Sequence, residues 1–165
     1  MVAMLIALTA ILGFISGKLR IGTFSKFSFN FISVYFTAVL FGPFVAGFVG
    51  VVGDFISAIG TGPYLWMIGL MEFVYGVVFG VLFYNKENKK TKAFIFKAFI
   101  ATIIIAAVDI FAKSFILMKV GYAPSPLNVA IITRIPMIAV MTAIRFVVLI
   151  IIEKGLTRVL NTIRQ

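Results

Sequence analysis

Five ionisable residues, Asp54, Glu72, Asp109, Lys113 and Arg134, interrupt the long apolar stretches of this chain. Ionisable groups in hydrocarbon are costly, so they face a cavity, a ligand or each other. Asp109 and Lys113 stand four residues apart, the spacing of a helical ion pair that neutralises itself. Glu72 and Arg134 pair only if two distant helices meet. Arg134 lies two residues before Pro136, whose ring frees a backbone carbonyl nearby. A buried guanidinium is a strong partner for a carboxylate or for a planar acceptor edge. Asp54 follows the small-residue run Gly47-Phe48-Val49-Gly50-Val51-Val52-Gly53, and reads either as a ligand group or as the cap of a bend. The chain has no cysteine and no histidine. Thiol nucleophiles, disulfides, imidazole bases and most zinc chemistry are therefore excluded. Gly13-Phe14-Ile15-Ser16-Gly17-Lys18-Leu19 has glycines and a lysine but not the spacing or the hydroxyl of a phosphate-binding loop, so ATP hydrolysis by that route is excluded. What remains is recognition by carboxylates and cations. The one catalytic alternative is an acid/base pair made of Asp54 and Glu72, with no cofactor and no metal.

Those charges need elements to hold them. The 165 residues are 62% hydrophobic, with a mean hydropathy of +1.18, the composition of a polytopic membrane protein. At about 20 apolar residues per span, the length allows roughly six spans in one domain, residues 1–165. The predicted helices cover about 2–17, 28–41, 43–59, 64–84, 92–118 and 127–160. Breakers separate them: Gly22, Gly42-Pro43, Gly60-Thr61-Gly62-Pro63, the polar stretch Asn85 to Lys92, and Gly121 to Pro126. The first stretch, Met1 to Gly17, lacks a basic leading region and a small-residue cleavage site, and is read as a span. Helices 2 and 3 are short and interrupted, as where backbone lines a cavity instead of lipid.

The net charge of +10 sits mostly at span ends: Lys86, Lys89, Lys90, Lys92, Lys154, Arg158 and Arg164. By the positive-inside rule the fourth loop and both termini are cytoplasmic. With no soluble basic surface, nucleic-acid binding is excluded. Counting from the outer helix ends puts Asp54 at ~8 Å depth, Glu72 at ~12 Å and Arg134 at ~10 Å. Asp109 and Lys113 fall about 9 and 5 residues below the outer end of helix 5. Arg145 and Lys97 belong to the inner half, where they reach the interface by snorkelling. The outer loops add Lys18, Arg20, Lys26 and Lys119 without an acidic residue, a field that attracts an anionic solute. Beside them stand Phe24, Phe27, Phe29, Tyr64, Trp66 and Tyr122, which either anchor the interface or stack on a flat heterocycle. Helix 1 carries Ala3-x-x-x-Ala7 and Gly13-x-x-x-Gly17, spacings that let helices approach closely in lipid.

Several of these segments together resemble the S-components of energy-coupling factor (ECF) vitamin transporters. Phe41-Gly42-Pro43-Phe44-Val45-Ala46-Gly47-Phe48-Val49-Gly50-Val51-Val52-Gly53-Asp54 is similar to that family's Gly-Pro segment ending in Asp. Ala3 and Ala7 resemble the small-residue face on which such proteins dock a transmembrane coupling subunit. Phe27-Ser28-Phe29-Asn30-Phe31-Ile32 and Thr133-Arg134-Ile135-Pro136 resemble elements of the folate-type members, although Met137 and Ser33-Val34 depart from their pattern. The resemblance implies an all-α bundle of six transmembrane helices in the bacterial plasma membrane. It implies capture of a vitamin, folate first, from outside, with transport driven by a coupling subunit and two ATPase subunits. Folate's flat pterin suits Trp66 and phenylalanine stacking, and its polar edge suits Glu72, Asp54 or Asn30. Its two carboxylates suit Arg20, Lys26 and Lys119. Arg134, Lys113, Phe27 and Tyr122 complete the expected substrate-binding residues. Other vitamins (riboflavin, pantothenate, a queuosine precursor) and a stand-alone secondary transporter or channel remain the alternatives. No internal inverted repeat of the secondary-transporter kind is visible.

Overall fold

The computed structural model describes residues 1–18, 20–21, 25–26, 28–59, 64–84, 91–121 and 127–163. Helix α1 is Val2–Lys18, α2 Phe31–Phe41, α3 Pro43–Ile59, α4 Trp66–Phe83 and α5 Thr91–Val108. A π-helical turn, Asp109–Lys113, joins α5 to α6, Ser114–Lys119, and α7 is Leu127–Ile163. Because α5, the π turn and α6 are continuous, the described residues form six helical rods, as the hydropathy predicts. Between α1 and α2 the backbones of Arg20–Ile21 and Ser25–Lys26 form a two-residue antiparallel ladder, Arg20 opposite Lys26.

Three rods are long and apolar enough to cross a membrane: Trp66–Phe83, Lys92–Lys119 and Leu127–Gly155. The others, Val2–Lys18, Phe31–Phe41 and Pro43–Ile59, are shorter apolar helices. At 1.5 Å per residue, the 11 residues of α2 extend only ~16 Å, about half the hydrocarbon thickness. The break between α2 and α3 has a local cause. Gly42 takes φ +89°, which favours glycine, and its N–H closes α2 on the Ala38 carbonyl at 3.2 Å. Pro43 then starts α3, where its missing N–H costs nothing.

Glycines make α3 and α4 almost touch. A Cβ on Gly76 would strike the Ala46–Gly47 backbone, and one on Gly80 would strike Pro43. On the other flank of α3, a Cβ on Gly53 would collide with Thr9 of α1. One on Gly13 would lie 2.7 Å from Ser57 Cβ, so Gly13 serves packing inside this chain. Small residues at crossings let backbones approach in the absence of a hydrophobic force between helices. Hydroxyls add polar ties between α1 and α2: Thr9 and Ser33 lie 2.8 Å apart, and the Phe29 N–H donates to Ser16 Oγ at 3.0 Å.

The core has an apolar end and a polar end. Where α4 finishes and α5 starts, Tyr35, Phe79, Phe83 and Phe94 are buried together. Ring centroids there lie 5.3 Å apart for Tyr35–Phe83 and for Phe83–Phe94. Tyr35 also donates to Glu153 Oε2 at 3.2 Å, tying α2 to α7. The opposite end holds Asp54, Glu72, Asp109, Lys113 and Arg134.

Candidate functional site

At the polar end the last turns of α3 pack on the first turns of α4, the end of the α5 rod packs on α7, and Tyr75 of α4 joins the two pairs through Asp109. Asp54 is 5% exposed and Glu72 4% exposed. Close packing brings them to the same region, since a Cβ on Gly50 would lie 3.0 Å from the Glu72 carbonyl oxygen and Asp54 follows Gly50 by one turn. Tyr64, just ahead of α4, packs its ring on Phe55 with centroids 5.1 Å apart. Burial, then the Asp54 and Glu72 carboxyl groups, push the Tyr64 phenol up from its usual range. The sequence reads residues 64 and 65 as the start of helix 4. They instead lie outside the helix, Leu65 with extended backbone, and the Tyr64 hydroxyl packs against Gly69.

One turn along the same face of α4, Tyr75 donates to Asp109 Oδ1 at 2.6 Å. Lys113 Nζ lies 3.4 Å from that oxygen, and Arg145 Nη1 lies 3.7 Å from Asp109 Oδ2. Asp109 is thus a hub for α4, the π turn and α7. The Arg145 guanidinium also lies 5.5 Å from the Phe31 ring centroid, in cation–π range. Arg134, 7% exposed, donates from Nη1 to Ser114 Oγ at 2.9 Å. Its Nε, the Nε of Arg145 and the Oδ1 of Asn30 are buried without a hydrogen-bond partner among the described residues.

Several expectations are corrected. Arg145 does not snorkel; it is 5% exposed and paired with Asp109, because it lies on the packed stripe of α7 with Arg134, Ile138, Met141 and Leu149. The Glu72–Arg134 pair that the sequence left open does not form; Arg134 donates to Ser114. The Asp109–Lys113 pair forms as expected, but in a π turn and with two further partners. Helix 2 begins at Phe31, and Asn30, 2% exposed, sits just before it.

Of the other residues singled out, Lys113 is half-buried in the hub, whereas Trp66 opens α4 and is 65% exposed, apart from the buried charges. Lys119 is exposed, with Nζ 5.3 Å from the Phe115 ring centroid. Ala3 and Ala7 lie on the exposed side of α1. Phe27, Tyr122 and the side chains of Arg20 and Lys26 fall outside the described residues. Tyr75, Ser114 and Arg145 were missed. Arg145 had a signal, since eleven residues make three helical turns and put it on the face of Arg134. The hydroxyls had none, because tyrosine and serine are ordinary in a span.

The arrangement can grip a solute bearing both hydrogen-bond donors, for the two carboxylates, and acceptors, for the guanidiniums. Among solved structures, the chain resembles the crystal structure of FolT bound with folic acid. The TM-score is 0.67 and the identity 24%, covering 92% of this chain and 88% of that one; at this identity the likeness concerns the fold. A folate transporter FolT from Clostridium novyi (strain NT) is 35% identical over 89 residues, 53% of this chain. The match spans 48%, about half, of that relative's length. Residues 1–153 match the family described as "ECF transporter, substrate-specific component". The chain therefore belongs to the substrate-specific components of ECF transporters, a family of membrane-embedded binding subunits.

Proposed function

We propose that this chain is the folate-binding subunit of an ECF transporter in the bacterial plasma membrane. The observation that carries this reading is the 35% identity to a folate transporter. Site chemistry supports it. A pterin presents N–H donors and ring acceptors on one edge, which complement the Glu72 and Asp54 carboxylates and the Arg134 guanidinium. The ligand's own carboxylates fall to the cations at the outer rim, Arg20, Lys26 and Lys119. Folate enters from outside, with both termini of the chain in the cytoplasm. A transmembrane coupling subunit docks on the Ala3/Ala7 face of α1, and two ATPase subunits hydrolyse the ATP.

Equilibrium binding to the purified protein in detergent tests this, with riboflavin and pantothenate as comparators. The expected result is one-to-one folate binding at nanomolar affinity, about −12 kcal/mol, without ATP or partners. Preference for another vitamin would keep the binding subunit and discard the folate assignment. Uptake into proteoliposomes without ATP would discard the dependence on partners.

A further inference from the structure

The π turn Asp109–Lys113 is the one departure from α-helical geometry in the rods described here, and the Arg134 environment is built around it. An α-helix turns 100° per residue, so residues five apart point ~140° away from each other. A π-helix bonds i to i+5, which brings two such residues to nearly the same face. Asp109 and Ser114 are five apart across this turn, and both are buried facing α7. Asp109 receives Arg145 and Ser114 receives Arg134. The two arginines stand on one stripe of α7, ~16 Å apart along its axis, and reach toward the turn from either side.

In plain α geometry, fixing Asp109 on Tyr75 and Arg145 would swing Ser114 out of reach of Arg134. We infer that the π turn is a positioning device, and that Ser114 and Asp109 are positioning residues that orient the Arg134 guanidinium for ligand. Ser114 occupies one Nη while Nε is buried without a partner among the described residues. Lys113 and Arg145 pair with the two Asp109 carboxylate oxygens, whereas the hydrogen bond from Arg134 goes to Ser114. The inference rests on the ligand role given to Arg134 above.

The test compares folate binding by the unaltered protein with that of Ser114→Ala, Ser114→Thr and a deletion of Phe111. Phe111 lies in the π turn and is 67% exposed, so its loss restores α register without opening the core. Thr102→Ala is the control, because among the described residues the Thr102 hydroxyl bonds carbonyls of its own helix, Ala98 and Phe99. Ser114→Ala and the deletion should weaken folate binding at least tenfold. Ser114→Thr should restore affinity to within threefold, and Thr102→Ala should leave it unchanged. Melting temperatures of the two Ser114 variants should match the unaltered protein, which separates positioning from folding. If Ser114→Ala binds folate within threefold of the unaltered protein, the inference is overturned. If Ser114→Thr fails to rescue, it is overturned equally. Should the deletion not fold, the Ser114 pair decides alone. Absence of folate binding by the unaltered protein would overturn the functional reading, and this inference with it.

Discussion

Arg134 and Asp109 are both buried, yet their removal should be felt in different quantities. Among the described residues Arg134 has one neutral hydrogen-bond partner and an unpartnered Nε, which supports the ligand role proposed for it. Arg134→Ala should weaken folate binding at least tenfold, about 1.4 kcal/mol, with a smaller change in melting temperature; titration of folate into the variant checks this. Affinity within threefold would remove Arg134 from the site. Asp109 instead compensates Lys113 and Arg145 and accepts from Tyr75. Breaking a buried ion pair by removing one partner leaves the other charge uncompensated, a cost of about 3–5 kcal/mol. Asp109→Ala should therefore lower the melting temperature in detergent sharply, and Tyr75→Phe, which deletes one hydrogen bond, by much less. Equal melting of Asp109→Ala and the unaltered protein would contradict the hub.

At the scale of elements, the contact between α3 and α4 controls where the two carboxylates stand. Gly76 has no room for a methyl, since a Cβ there meets the Ala46–Gly47 backbone. Backbone cannot move aside as a flexible side-chain tip can, so Gly76→Ala must push the helices apart. The consequence reaches Glu72, one turn away, and the expected outcome is loss of both thermal stability and folate binding. Gly155 has open space around it within α7. Gly155→Ala should raise stability slightly, by about 0.5–1 kcal/mol, because alanine loses less backbone entropy in a helix. Melting curves of the two variants side by side check the packing argument, and the opposite order would refute it.

At the scale of the whole molecule, the proposed sidedness rests on the charges. By the positive-inside rule, the polar stretch from Asn85 to Lys92 and the C-terminal lysine and arginines belong on the cytoplasmic side of the proposed topology. The chain has no cysteine, so single cysteines report without background. Asn88→Cys should react with a membrane-impermeant maleimide only after cells are permeabilised, and Ser125→Cys in intact cells. The reverse pattern would invert the proposed entry side. The exposed position of Ala3 and Ala7 on α1 leads to a second expectation. Ala7→Trp should abolish uptake in cells that supply the coupling module, while folate binding by the isolated subunit is retained. A parallel loss of binding would mean that this face serves the chain's own fold.

The amino-acid sequence by itself determined the class of molecule. Hydropathy and breakers are local properties, and they marked all six rods, the short second and third helices and the break at Gly42-Pro43. It also named Asp54, Glu72, Asp109, Lys113 and Arg134 as the residues to explain, because a charge in an apolar run stands out whatever surrounds it. Tertiary structure alone decided which of these meet. Tyr75 and Ser114 became partners of Asp109 and Arg134 only when α4, the α5 rod and α7 packed, and a hydroxyl carries no sequence signal of that kind. Arg145 was misplaced for the same reason: depth counted along one helix says nothing of what the neighbouring helix presents. The π turn was invisible as well. One extra residue in a helical turn leaves an apolar pattern almost unchanged, yet it rotates everything after it, and here that rotation sets Ser114 opposite Arg134.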